Sequence, residues 1–271
     1  NGFGKVVAPH LGSAAALIVW YAPFFLYGLL AWPVAILVWF VCQEPPLSPT
    51  PQAKKYLTEL KEVWAERGVG LAACFLAGFL ALFLFFGLLS YLSDVLEAKI
   101  GAKVFTRGLL VAVPVLSLTL TCSFIGVYLE KHLGKPLKTA LLAGLILVST
   151  ALITLAFLPA GYLYFLPLIA AAIGIGILLP GLNLLITSGS GSEERGFVTA
   201  IYGTVRFFGA AMGPPTVGLG LKLGKATLFY LFSAFAILVL ILIWWLVDPI
   251  QMLPRKLVKT PGNNSDARAN N

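Results

Sequence analysis

The sequence predicts an all-α integral membrane protein with about eight transmembrane helices. Three observations carry that prediction. The chain is 59% hydrophobic and 11% charged, with a mean hydropathy of +0.93, whereas soluble domains carry roughly 25% charged residues. So few polar groups do not cover a water-facing globule. The apolar residues form continuous, Leu- and Ala-rich runs near the length that crosses a bilayer. They do not alternate in the short segments of a membrane barrel. In lipid the backbone must bond to itself, which leaves helices as the remaining solution.

The runs fall near 4–20, 22–42, 69–91, 105–127, 139–158, 163–187, 197–219 and 226–247. The first two occupy residues 1–43 and the last six form a bundle over 69–248. Between them, QEPPLSPTPQAKKYLTELKEVWAERG opens on a proline cluster and then turns charged. Tyr56, Leu57, Leu60, Val63 and Trp64 stand at helical spacing, so linker 44–68 is expected to hold a surface-lying amphipathic helix. The tail, 249–271, is polar, lacks apolar anchors and is expected to be disordered.

Lysine and arginine counts set the direction. Twelve fall in the linker, the 129–138 and 188–196 loops and the tail. Five fall on the other side: Lys99, Lys103, Arg107, Lys222 and Lys225. The first side is expected to be cytoplasmic. The net charge of +8 then reads as basic loops facing anionic lipid rather than as nucleic-acid binding. Cys42, Cys74 and Cys122 lie in or beside apolar runs without CxxC or Cys/His spacing, so no disulfide, metal or redox site is expected. No phosphate loop, HExxH or GxSxG occurs. No cofactor is expected, and energy is expected from an ion gradient.

The chain opens NGFGKVVAPHLGS, with Lys5 and His10 inside an apolar run. GKVVAP (4–9) and GAAMGP (209–214) share a Gly, three residues, a small residue and Pro. Aligned on that repeat, the first helix lacks its cytoplasmic half. The expectation is a fragment cut within a transmembrane helix, because a bare amino terminus inside a bilayer is unfavourable. His10 fits a packed histidine better than a proton carrier.

Several residues carry candidate chemistry. Arg206 lies about ten residues into its span, and a buried cation there is either functional or paired. Tyr202, Arg206, Gly209 and Gly213 share one helix face. Arg206 holds either an anionic substrate or counter-carboxylate, or a structural partner. Asp94 ends its span with Glu97 one turn on, below a stripe of Phe75, Phe79, Phe83, Phe86 and Ser90. That stripe is either a drug-contact wall leading to a titratable mouth residue or a packing and lipid-facing surface. In AAIGIGILLPGLNLLITSG, Gly174, Gly176, Pro180 and Gly181 make the helix pliable and Asn183 adds a polar group. This combination fits a gate or interhelical packing.

Three motifs carry a family resemblance. GKVVAPHLGS, with Gly4, Pro9 and Gly12, is similar to the fifth-helix antiporter motif of drug exporters, with Ala8 in place of the usual Gly. GVYLEKHLGKPLK is similar to a cytoplasmic loop motif, matched in register by Gly126, Glu130 and Lys131. YGTVRFFGAAMGPP, with Gly209, Gly213 and Pro214, resembles the eleventh-helix signature of drug and siderophore exporters. The whole chain resembles the last two-thirds of a major facilitator superfamily transporter. The resemblance implies the last two helices of the amino-terminal half plus the complete carboxyl-terminal six-helix bundle of a twelve-helix fold. It also implies a monomer working by alternating access, and proton-coupled export of amphipathic drug-like or siderophore-like molecules. The Gly and Pro residues above would then shape the rocking interface. An uptake carrier of the same fold stands as the alternative. A membrane enzyme fits less well, because His10 and His132 are far apart and no acidic cluster joins them.

Overall fold

The computed structural model describes residues 22–41, 53–98, 101, 103–131, 135–159, 162–189 and 195–248. Among them the chain is helical, with no strand. The helices are α1 (Ala22–Val41), α2 (Ala53–Ala98), α3 (Val104–Lys131), α4 (Lys135–Phe157), α5 (Phe165–Gly189), α6 (Arg195–Gly220) and α7 (Lys225–Leu246). Single 3-10 turns at Tyr162–Tyr164 and Leu221–Leu223 precede α5 and α7. Among the described residues, five segments are long and apolar enough to cross a membrane: Gly68–Ala98, Val104–Lys131, Pro136–Phe157, Phe165–Ser188 and Lys225–Leu246. α1 contributes a shorter apolar stretch, Phe25–Val41. α6 carries Arg195, Arg206 and a row of hydroxyl residues, which keeps it out of that group. The expected first span, 4–20, lies outside the described residues.

One expectation about the linker changes. α2 runs unbroken from Ala53 to Ala98, so its first turns are continuous with the membrane-crossing part rather than a separate surface helix. The reason is local. Between Ala53 and Ala98 there is no proline, and an isolated Gly costs a helix only about 1 kcal/mol. The ends of other helices follow from sequence. Pro159, which cannot donate to the ladder, stands just past the end of α4 at Phe157. Gly101 and Gly224 take positive φ, 64° and 101°, at the turns before α3 and α7.

Inside the helices, Pro33, Pro114, Pro180, Pro214 and Pro215 do not end the ladder. Membrane helices accept such residues because neighbouring groups satisfy the freed carbonyls. Hydroxyls are handled the same way. Ser117, Thr121, Ser149, Thr154, Thr204 and Thr216 each donate to the carbonyl four residues back, which hides a polar hydrogen from lipid.

α2 is the central helix, and its largest interface is with α6. α5 packs on α4 and α3, and α7 packs on α4. α1 stays outside this network, exposed along almost its whole length. Lipid tails are as apolar as leucine, so close packing rather than water exclusion joins the helices, and small residues permit it. A Cβ on Gly174 would lie 2.7 Å from the Gly144 carbonyl oxygen, and one on Gly176 would lie 3.0 Å from that of Leu118. α5 therefore touches α4 and α3 backbone to backbone. Gly209 and Gly213 do the same for α6 against the Phe79 and Phe83 carbonyls of α2. Gly209 meets Phe79, Gly213 meets Phe83 and Val217 meets Gly87, so both helices ascend together and run parallel.

Contacts fix the two ends of the bundle. At one end, Leu129 of α3, Leu137 and Leu141 of α4 and Gly181 of α5 converge. There Lys138 donates to the Trp244 carbonyl at 2.8 Å, placing a cation at the carboxyl end of α7, where the helix dipole favours it. At the other end, the Arg107 guanidinium of α3 pairs with Glu97 of α2.

Candidate functional site

Arg206, Tyr202 and Asn183, drawn from two different helices, come together. α6 starts at Arg195 and rises about 1.5 Å per residue, so the Arg206 backbone sits about 16 Å along it. That depth is well inside a hydrocarbon layer about 30 Å thick. Nη1 of Arg206 donates to Oδ1 of Asn183 at 3.3 Å. The guanidinium carbon lies 5.2 Å from the Tyr202 ring centroid and 5.5 Å from that of Phe207, within cation–π range. Tyr202 is 2% exposed. Its ring is seated against Phe75 at 5.9 Å, in the space left by Gly78. The Tyr202 hydroxyl and Arg206 Nε are buried, and neither makes a hydrogen bond among the described residues.

No carboxylate of the described residues pairs with Arg206. The acidic residues of the chain lie at 44–66, near helix ends (Asp94, Glu97, Glu130, Glu193, Glu194, Asp248) or in the tail. What this arrangement can do is accept an anion: one bare donor on a fixed cation, with the Tyr202 hydroxyl beside it as a second donor.

The phenylalanine stripe divides. Phe75 and Phe83 are each 7% exposed and Phe86 is 40% exposed. Phe79 stacks on Phe83 at 5.6 Å and tilts against Phe208 of α6 at 6.2 Å. Phe83 meets Phe232 of α7 edge-on at 5.2 Å. Phe79 and Phe83 thus pack α2 onto α6 and α7, while Phe75 stays against Tyr202 of the Arg206 group.

Asp94 is exposed at the far end of α2. It lies sixteen residues beyond Gly78, which touches Tyr202, and so about 24 Å along the helix. The structure does not bring it to Arg206. Pro180 interrupts nothing in this conformation, because α5 continues to Gly189. Pro180 does meet Gly126, where a Cβ would lie 3.6 Å from the proline Cβ. Two candidates from separate motifs therefore face each other across α3 and α5. Glu130 and Lys131 are exposed at the end of α3. Pro214, half-buried, follows Gly213 within α6. Gly4, Pro9 and Gly12 lie outside the described residues.

One cluster was not singled out from sequence. Lys225, first residue of α7, donates to the Leu158 carbonyl and, at 2.9 Å, to the Tyr164 hydroxyl. Tyr164 in turn donates to the Leu158 carbonyl at 3.0 Å and accepts from Tyr91 at 3.3 Å. This clasp joins the far ends of α2, α4 and α7 to the turn before α5. The only signal in the sequence is a pair of tyrosines in apolar runs.

Comparison with known proteins agrees with this architecture. The chain is 32% identical over 249 residues, 92% of its length, to the "Bacillibactin exporter" of Bacillus subtilis (strain 168). It is 28% identical over 224 residues, 80% of its length, to the "Multidrug efflux protein YfmO" of the same organism. It spans 62% of the length of the first and 52% of the second. Residues 1–214 match the Major Facilitator Superfamily. With that match over most of the chain, the chain belongs to the Major Facilitator Superfamily.

Proposed function

We propose that this chain works as part of a secondary active exporter of small amphipathic molecules, drug-like or siderophore-like, that operates by alternating access. The observation that carries the reading is the 32% identity over 92% of the chain to a protein named as an exporter. The Arg206 group supports it from the structure, because an ionisable residue inside a membrane bundle is costly and by default marks a substrate or ion pathway. The reading takes the chain as the last two helices of one half and the whole of the other half of a twelve-helix transporter. Residues 44–68 and the tail are cytoplasmic in a bacterial plasma membrane, and the protein is a monomer. Gly209, Gly213, Gly126, Pro180 and Pro214 are the close contacts across which helices slide during the cycle. Protons drive export, and Asp94 is the residue proposed to carry them at the outer mouth.

The test is dye movement in inside-out vesicles from bacteria that lack their own multidrug pumps and express the protein. Imposing a proton gradient is expected to drive accumulation of a fluorescent amphipath, and a protonophore is expected to abolish it. Asp94→Asn is expected to flatten the pH dependence of the rate. Accumulation equal to that of vesicles without the protein refutes export, and an unchanged pH profile removes Asp94 from the coupling.

A further inference from the structure

We infer that the Arg206 group is a subsite for an anionic aromatic substrate: a carboxylate or phenolate carried on a flat ring. The inference rests on the export reading for its physiological role and on the geometry for its chemistry. Three observations carry it. First, the guanidinium is held but not neutralised. Asn183 accepts one of its hydrogens at 3.3 Å, and an amide oxygen brings no charge. Second, two buried polar atoms at the site, Arg206 Nε and the Tyr202 hydroxyl, make no close hydrogen bond among the described residues, the hydroxyl facing only the Arg206 guanidinium itself. Tyr202 is 2% exposed, so its hydroxyl is not left to water. Buried polar groups are paired with few exceptions, and an exception calls for a physical explanation, of which an absent water, ion or ligand is one. Third, the cation lies between aromatic faces. Tyr202 and Phe207 lie 5.2 and 5.5 Å from the guanidinium carbon, and the neighbouring Phe208 ring is 60% exposed.

These features select a ligand class. A carboxylate or phenolate accepts from Nε and from the Tyr202 hydroxyl at once, and charge-assisted bonds are the strong ones. A flat ring attached to the anion lies over Phe207 or Phe208, as stacked aromatic groups do. A cationic amphipath would bring like charge to Arg206. A phospholipid headgroup carries the same anionic chemistry but belongs at the interface, whereas the Arg206 backbone is about 16 Å along its helix.

Two xanthene dyes with the same ring system separate the possibilities: fluorescein, an anion, and rhodamine 123, a cation. Binding is read by fluorescence anisotropy with the protein in phosphatidylcholine nanodiscs. Fluorescein is expected to bind at least about tenfold more tightly. Arg206→Gln is expected to weaken it about 10- to 100-fold, the range for bonds to a charged group, while leaving rhodamine binding in place. Arg206→Lys should recover part of the loss, and Tyr202→Phe should weaken fluorescein more modestly. Fluorescein affinity unchanged by Arg206→Gln overturns the inference, as does a preference for rhodamine or binding of neither dye. So does displacement of fluorescein by phosphatidylglycerol added to the nanodiscs, which would assign the site to lipid. Vesicle transport keeps the two readings apart. Energised uptake that ignores Arg206 leaves export standing and ends the anion subsite. Arg206-dependent fluorescein binding without energised movement does the reverse.

Discussion

Gly209→Ala tests the packing that positions Arg206, because Gly209 is three residues further along the same helix. An alanine methyl there would run into the Phe79 carbonyl oxygen, with the carbonyl carbon at 3.0 Å and the ring Cδ2 at 3.1 Å. The oxygen belongs to the α2 backbone and cannot swing aside as a side chain could. The helices must separate instead, and overpacking of this kind costs about 1–3 kcal/mol. Alanine also gains about 1 kcal/mol of helix propensity over glycine, so the net loss is about 0–2 kcal/mol. Gly218→Ala is the internal control. It lies on the same helix with nothing within 4 Å of its Cβ, so propensity alone acts and stability rises by about 0.5–1 kcal/mol. At about 2–4 °C per kcal/mol, thermal unfolding in nanodiscs should drop by up to about 8 °C for Gly209→Ala and rise by about 1–4 °C for Gly218→Ala. Gly213→Ala repeats the clash one turn on, against Phe83 and the Gly87 amide at 2.9 Å. Once the helices have parted for the first methyl, the second meets less resistance, so the double variant should lose less than the sum of the singles. A Gly209→Ala protein as stable as the Gly218→Ala control would refute backbone-to-backbone contact between α2 and α6.

Two further outcomes follow from the far end of the bundle. Lys225→Met removes the donor that ties α7 to the Leu158 carbonyl and the Tyr164 hydroxyl, and should lower stability by about 1–3 kcal/mol. Amide exchange around 162–164 and the first turn of α7 should speed up, with the α2–α6 contact unaffected. The Glu97–Arg107 pair is exposed on the acid side, 68% against 24% for the arginine. A double-mutant cycle with Glu97→Gln and Arg107→Gln should therefore give a coupling below about 1 kcal/mol, shrinking further in high salt.

The sequence by itself determined the solvent of this protein and its helical class. A bilayer forbids unpaired backbone, so runs of apolar residues near twenty long have one stable answer, and a charged residue inside such a run stands out, as Arg206 did. Composition and motif spacing also marked Asn183, Tyr202, Gly209 and Gly213 one by one. The tertiary structure decided which of these meet. Hydropathy cannot say so, because in lipid the face of a helix that packs and the face that meets tails are equally apolar. The joining of Asn183 to Arg206, of Gly126 to Pro180 and of Lys225 to Tyr164 therefore left no periodic trace in the chain. The same reasoning explains Phe83 and Asp94. The stripe that links them is continuous along α2, but the neighbours differ: α7 covers Phe83, while Asp94 is exposed beside the buried Val95 and Leu96. Chain chemistry chose the elements, and glycine-to-carbonyl contact between particular helices chose their partners.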